Sequence, residues 1–113
     1  MTKVLNYING EWCESSSGES VPVLNPANGE VLGEVTQSTK EDVDRAVQAA
    51  KAAQKSWRLV PAPERAEILY KVAYLLKEKK EHLSQILTSE MGKVIEEGRG
   101  EVQEAIDMAF YMA

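Results

Sequence analysis

A chain of 113 residues, 43% hydrophobic and 27% charged, has room for one small core, and that composition argues against wholesale disorder. Its net charge of −5 leaves no surplus of Lys and Arg for phosphate contacts, which argues against nucleic acid as a partner. No run reaches the roughly 18 apolar residues of a membrane span, the start from Met1 to Asn6 lacks the apolar core of a signal peptide, and the single cysteine, Cys13, permits no intrachain disulfide. The expected location is the cytoplasm.

The chain opens with two short runs, Val4 to Ile8 and Glu11 to Cys13, on either side of Asn9-Gly10. An Asn-Gly pair between runs holding aromatic and β-branched residues predicts a two-stranded hairpin. Ser15-Ser16-Ser17-Gly18 follows as a polar loop, and Val21 to Leu24 as an extended segment that Pro22 confines to an edge or a strand start. Asn25 to Glu30, with Pro26 and a second Asn-Gly, is a turn; Val31 to Val35 is a strand expected to pair back onto Val21 to Leu24.

The first helix opens at Ser38 or Thr39, since Ser38 with Glu41, or Thr39 with Asp42, supplies a reciprocal cap for free backbone amides. Val43, Ala46, Val47, Ala50, Ala53 and Trp57 then share one face, which is expected to be buried. Glu41, Asp44, Arg45, Gln48 and Lys51 lie opposite. Pro61-Ala62-Pro63 leads into a second helix, with Pro63 near a first helical position where its missing N–H is harmless. Its expected buried stripe is Ile68, Leu69, Val72, Leu75 and Leu76. After a break near Lys79-Lys80, Leu83, Ile86, Leu87 and Met91 carry a third helix to Gly92, which is placed to end it in left-handed backbone. Lys77, Lys79 and Lys80 form the one basic cluster, and Glu78 and Glu81 break it into a solvated face.

A last helix runs from about Val94 to Ala113. Gly98 and Gly100 lie in its first turns at a cost of about 1 kcal/mol each relative to alanine, which points to close backbone packing at both. Val102, Ala105, Ile106, Ala109, Phe110 and Ala113 share one face, and no charged residue follows Asp107 on any side. A helix apolar all round, with neither a glycine cap nor a basic last turn, belongs inside a larger structure. The expectation is therefore an incomplete piece of a larger protein.

Few residues invite a chemical role. Cys13 has no His or helix N-terminus near it in sequence and reads as a partly covered strand residue. His82, between Glu81 and Leu83, reads as a solvated helix residue, and no Gly-x-Gly-x-x-Gly follows a strand. Glu90 differs, because an acid in the last turn of a helix faces the negative end of the macrodipole and calls for a positive partner. Lys93 is the nearest, and a cation is the other reading.

In order, Asn6-Tyr7-Ile8-Asn9-Gly10-Glu11-Trp12, Asn25 to Glu30, Glu41 to Val47, Trp57, Glu64-Arg65 and Glu90-Met91-Gly92-Lys93 resemble the beginning of the NAD(P)-dependent aldehyde dehydrogenases. Gly100 to Asp107 looks most like the branch that handles semialdehydes of acidic metabolites, such as aminoadipate semialdehyde or a keto-acid semialdehyde. The resemblance implies a fold that is mainly α here with short N-terminal β-hairpins, the incomplete opening section of an α/β, Rossmann-like enzyme. It divides into hairpins over 1–37 and helices over 38–113, all part of the cofactor-binding domain. It also implies a homo-oligomer, dimer or tetramer, that oxidises a small aldehyde with NAD or NADP through a cysteine nucleophile lying beyond Ala113. No catalytic or cofactor-binding residue falls on this chain. In relatives that bind a structural Na⁺ or K⁺, two carbonyls before the Asn-Pro turn and an acid before the Gly-Lys pair are ligands. Matched by motif these are Val23, Leu24 and Glu90. An alternative of another class is a small helical interaction module docking through Met108 to Ala113.

Overall fold

The computed structural model describes residues 2–113. Its first pairing lies where Asn-Gly places it: Asn9 (φ 53°) and Gly10 (φ 84°) both take the left-handed backbone of a type I′ turn. This turn joins β2 (Asn6–Ile8) antiparallel to β3 (Glu11–Cys13), with Tyr7 opposite Trp12 and their ring centroids 4.9 Å apart. A cross-strand aromatic pair of this kind contributes about 0.2–1 kcal/mol.

Val4 does not belong to that ribbon. The run expected as one strand breaks at Leu5, and β1 (Thr2–Val4) pairs instead in parallel with β5 (Val31–Thr36). Gly33 makes the approach possible: a Cβ there would lie 2.7 Å from the Thr2 carbonyl oxygen. On its other side β5 pairs antiparallel with β4 (Ser20–Leu24), giving the order β1-β5-β4 and leaving Pro22 on an edge strand as expected. The register slips between Val23, opposite Gly33, and Leu24, opposite Val31, so the ladder is irregular at those two residues.

Four helices follow: α1 (Lys40–Trp57), α2 (Ala62–Glu78), α3 (Lys80–Met91) and α4 (Ile95–Met112). The chain forms two compact units, one of the strands with α1, through Leu24 and over Gly29–Leu59, and one of Asn25–Asn28 with Val60–Ala113. In the helical unit α4 lies against both α2 and α3. Ala73, Ser84, Gly98, Val102 and Ile106 are buried there. At Gly98 a Cβ would come within 3.1 Å of both the Ser84 carbonyl oxygen and Thr88 Oγ1, the close packing expected of it. Gly100, by contrast, has nothing within 4 Å of such a Cβ, so the same expectation fails there. Arg99 reaches back from α4 to Glu81 on α3 through two hydrogen bonds of 2.9 and 2.8 Å, which hold the Glu81 carboxyl below its ordinary value and raise the guanidinium.

Two expected faces are not buried. On α1, Val43, Val47, Ala50, Ala53 and Trp57 are exposed, Ala46 is half-buried, and the one buried residue is Asp42. Periodicity identified residues that share a face, but whether another element covers that face is a separate matter. On α2, Ile68, Val72 and Leu75 are exposed, and the buried residue is Ala73, with Leu69 and Leu76 half-buried. That helix is apolar at Ala66, Ile68, Leu69, Tyr70, Val72, Ala73, Tyr74, Leu75 and Leu76, so nearly its whole circumference satisfies an apolar template.

The exposed apolar surface has a direct consequence. Met108, Tyr111 and Met112 on α4 are open to solvent, Tyr111 to 83%. In isolation the 113-residue chain is expected to self-associate, as large apolar patches do. Sedimentation should show a weight-average mass rising with concentration, and Tyr111→Glu with Met112→Lys should lower it. A clean monomer at high concentration would refute this.

Candidate functional site

The corner between α3 and α4 carries the one candidate ligand side chain. Gly92 (φ 74°) ends α3 in left-handed backbone, its N–H donating to the Thr88 carbonyl at 2.9 Å. A Cβ on it would lie 2.8 Å from Pro26 Cγ, so the position needs glycine both for its torsion and for its neighbour. Gly92→Ala is expected to cost about 1–3 kcal/mol, read as a shift in the denaturation midpoint; an unshifted midpoint would mean that the corner relaxes freely.

Beyond this turn the chain reverses, and that decides the partner of Lys93. Its ammonium, largely covered, pairs with Glu101 in the second turn of α4, not with Glu90. The expected Glu90–Lys93 pair does not form, and among the described residues Glu90 has no ion pair. Glu90 is exposed at the edge of an apolar groove of about 330 Å³ lined by Leu76, Leu83, Ile86, Leu87 and Val102, with Glu101 also on its wall. Val23 and Leu24 lie on β4 at the irregular step of the ladder, Val23 half-buried and Leu24 exposed. They belong to the strand-bearing unit and Glu90 to the helical one. No group of three or more His, Cys, Asp or Glu side chains among the described residues is arranged around a metal position.

The densest polar cluster lies elsewhere, at the start of α1. Thr39 caps that helix and Asp42 completes the capping box: Thr39 Oγ1 accepts from the Asp42 N–H at 3.3 Å, and Asp42 Oδ2 accepts from the Thr39 N–H at 2.9 Å. The same carboxylate accepts from the Ser15 hydroxyl at 2.8 Å and the Ser16 N–H at 3.1 Å, and Arg45 Nη2 stands 3.4 Å from its other oxygen. The Ser15 N–H donates to Thr36 Oγ1 at 2.9 Å, tying the loop to β5 as well. The Thr39 N–H foremost, then the Ser15 hydroxyl, hold the Asp42 carboxyl well below the usual carboxylate range, although the side chain is only 2% exposed. The Thr39–Asp42 pair is visible in sequence. The part played by Ser15 and Ser16 is not, because nothing local links them to a carboxylate in another element.

Cys13 is half-buried, and its Sγ receives the Arg45 guanidinium at 3.5 Å. His82 is exposed on α3. Neither joins a cluster with the geometry of a nucleophile and its base. The free amides at the start of α1 are already engaged by Thr39 and Asp42, and Gly98 is closed over by Ser84 and Thr88 where an open phosphate loop would be needed. Neither of these two positions offers a dinucleotide phosphate an open cradle.

The described helices include none long and apolar enough to cross a membrane. The aldehyde dehydrogenase family model matches residues 12–113. Malonate-semialdehyde dehydrogenase 1 of Bacillus licheniformis is 52% identical over 106 residues, covering 94% of this chain and 22% of the relative. NADP-dependent glyceraldehyde-3-phosphate dehydrogenase from Bacillus halodurans C-125, solved with NADP, superposes with a TM-score of 0.93 at 36% identity, covering 98% of this chain and 23% of that one. Betaine aldehyde dehydrogenase from Staphylococcus aureus, solved with NAD⁺, gives 0.92 at 34% identity, over 96% and 22%. The chain thus spans about a fifth of the length of the proteins it matches.

Proposed function

The chain belongs to the aldehyde dehydrogenase family, and from that premise we propose that it is the amino-terminal portion of an enzyme that oxidises an acidic semialdehyde to its carboxylate with NAD or NADP. One observation carries the substrate class: identity is 52% to a malonate-semialdehyde dehydrogenase, against 36% and 34% to dehydrogenases of glyceraldehyde-3-phosphate and betaine aldehyde. Malonate semialdehyde, with a carboxylate beside its aldehyde, belongs to the acidic class suggested by Gly100 to Asp107. The docking-module alternative gains no support from these likenesses.

In this reading residues 1–113 are framework within the cofactor-binding domain, and the nucleophile, the activated water and the nicotinamide site lie on other segments. We further propose a cytoplasmic homo-oligomer, dimer or tetramer, with neither nucleic acid nor a membrane as partner. The longer reading frame holding this segment, purified and given malonate semialdehyde or betaine aldehyde with each nicotinamide cofactor, should oxidise the former preferentially. The 113-residue chain alone should give no calorimetric heat with NAD or NADP. Failure to oxidise any aldehyde would overturn the assignment, and tight cofactor binding by the chain alone would mean that the nicotinamide site is misplaced.

For the cation we propose the Val23 and Leu24 carbonyls with the Glu90 carboxylate, completed by a further ligand from another segment. Oxygen donors suit a hard monovalent ion, and a Glu90 without an ion pair is consistent with that role. The longer protein should melt higher in Na⁺ or K⁺ than in a large organic cation at equal ionic strength, and Glu90→Gln should remove the difference. An equal response in both proteins would dismiss the site.

A further inference from the structure

We draw no further inference here: the strongest candidate, the apolar groove that α2, α3 and α4 form around Leu76, Leu83, Ile86, Leu87 and Val102, is an unpartnered face, and nothing in the structure shows what covers it.

Discussion

Ile106→Ala is expected to destabilise the helical unit by about 2–5 kcal/mol, among the largest losses available to a single substitution in this chain. Ile106 is the largest apolar side chain buried to within 2% of full enclosure, and it lies on the face that α4 turns toward α2 and α3. Apart from Val102, the other buried positions in that seam are small: Ala73, Ser84 and Gly98. Small residues let helix backbones approach, but they leave little that can swing into a hole. Gly98 is already in close contact with the Ser84 carbonyl and Thr88, and the Ser84 hydroxyl is engaged with the Lys80 carbonyl at 2.8 Å. The cavity should therefore persist, placing the cost toward the upper part of that range. Ile106→Val, which removes one methyl group, should cost about 0.5–1.5 kcal/mol. Far-UV circular dichroism in denaturant reads the effect, since this unit is almost wholly helical. If both variants unfolded at the wild-type midpoint, α4 would not be anchored by this residue.

Where the sequence was legible and where it was not follows from the range of the signal. The Asn9-Gly10 hairpin, the Thr39–Asp42 box, the break between α2 and α3 and the Gly92 stop are all set by residues within four positions of one another, and each formed as read. The parallel pairing of β1 with β5 depends on a glycine about thirty residues away and could not be read locally. Helix faces fell between these cases. Apolar residues around nearly all of α2 left the periodicity without a preferred side, and the seam selected Ala73 instead of the larger Ile68, Val72 and Leu75. The candidate cation site shows the same limit: Glu90 was identified as an acid needing a partner, but the choice of Glu101 for Lys93 is made by the reversal at Gly92.

Removing the Asp42 carboxylate is expected to be the most damaging polar change in the strand-bearing unit, and its signature is the pH dependence. Asp42 gathers the Thr39 and Ser16 amides and the Ser15 hydroxyl on a side chain almost closed to solvent. Asp42→Ala leaves those donors without an acceptor, whereas Thr39→Ala removes one cap at a cost of about 1 kcal/mol; the first should lower Tm more than the second. Asp42→Asn keeps the shape but turns an amide group toward donors, so it should also melt several degrees below wild type. Because the folded carboxyl titrates below its unfolded value, the folded chain keeps the charge in acid that protonates the unfolded chain. The stabilisation is thus complete above the unfolded value of about 3.9 and is lost as pH falls from there toward the lower folded value. Wild type should lose stability over that acid window, and Asp42→Asn should flatten the slope. Trp12 and Trp57 both lie in this unit, so tryptophan fluorescence in denaturant at stepped pH follows it directly. An Asn variant with the wild-type midpoint and an unchanged acid slope would show that the Ser15–Ser16 loop is held by something other than this carboxylate.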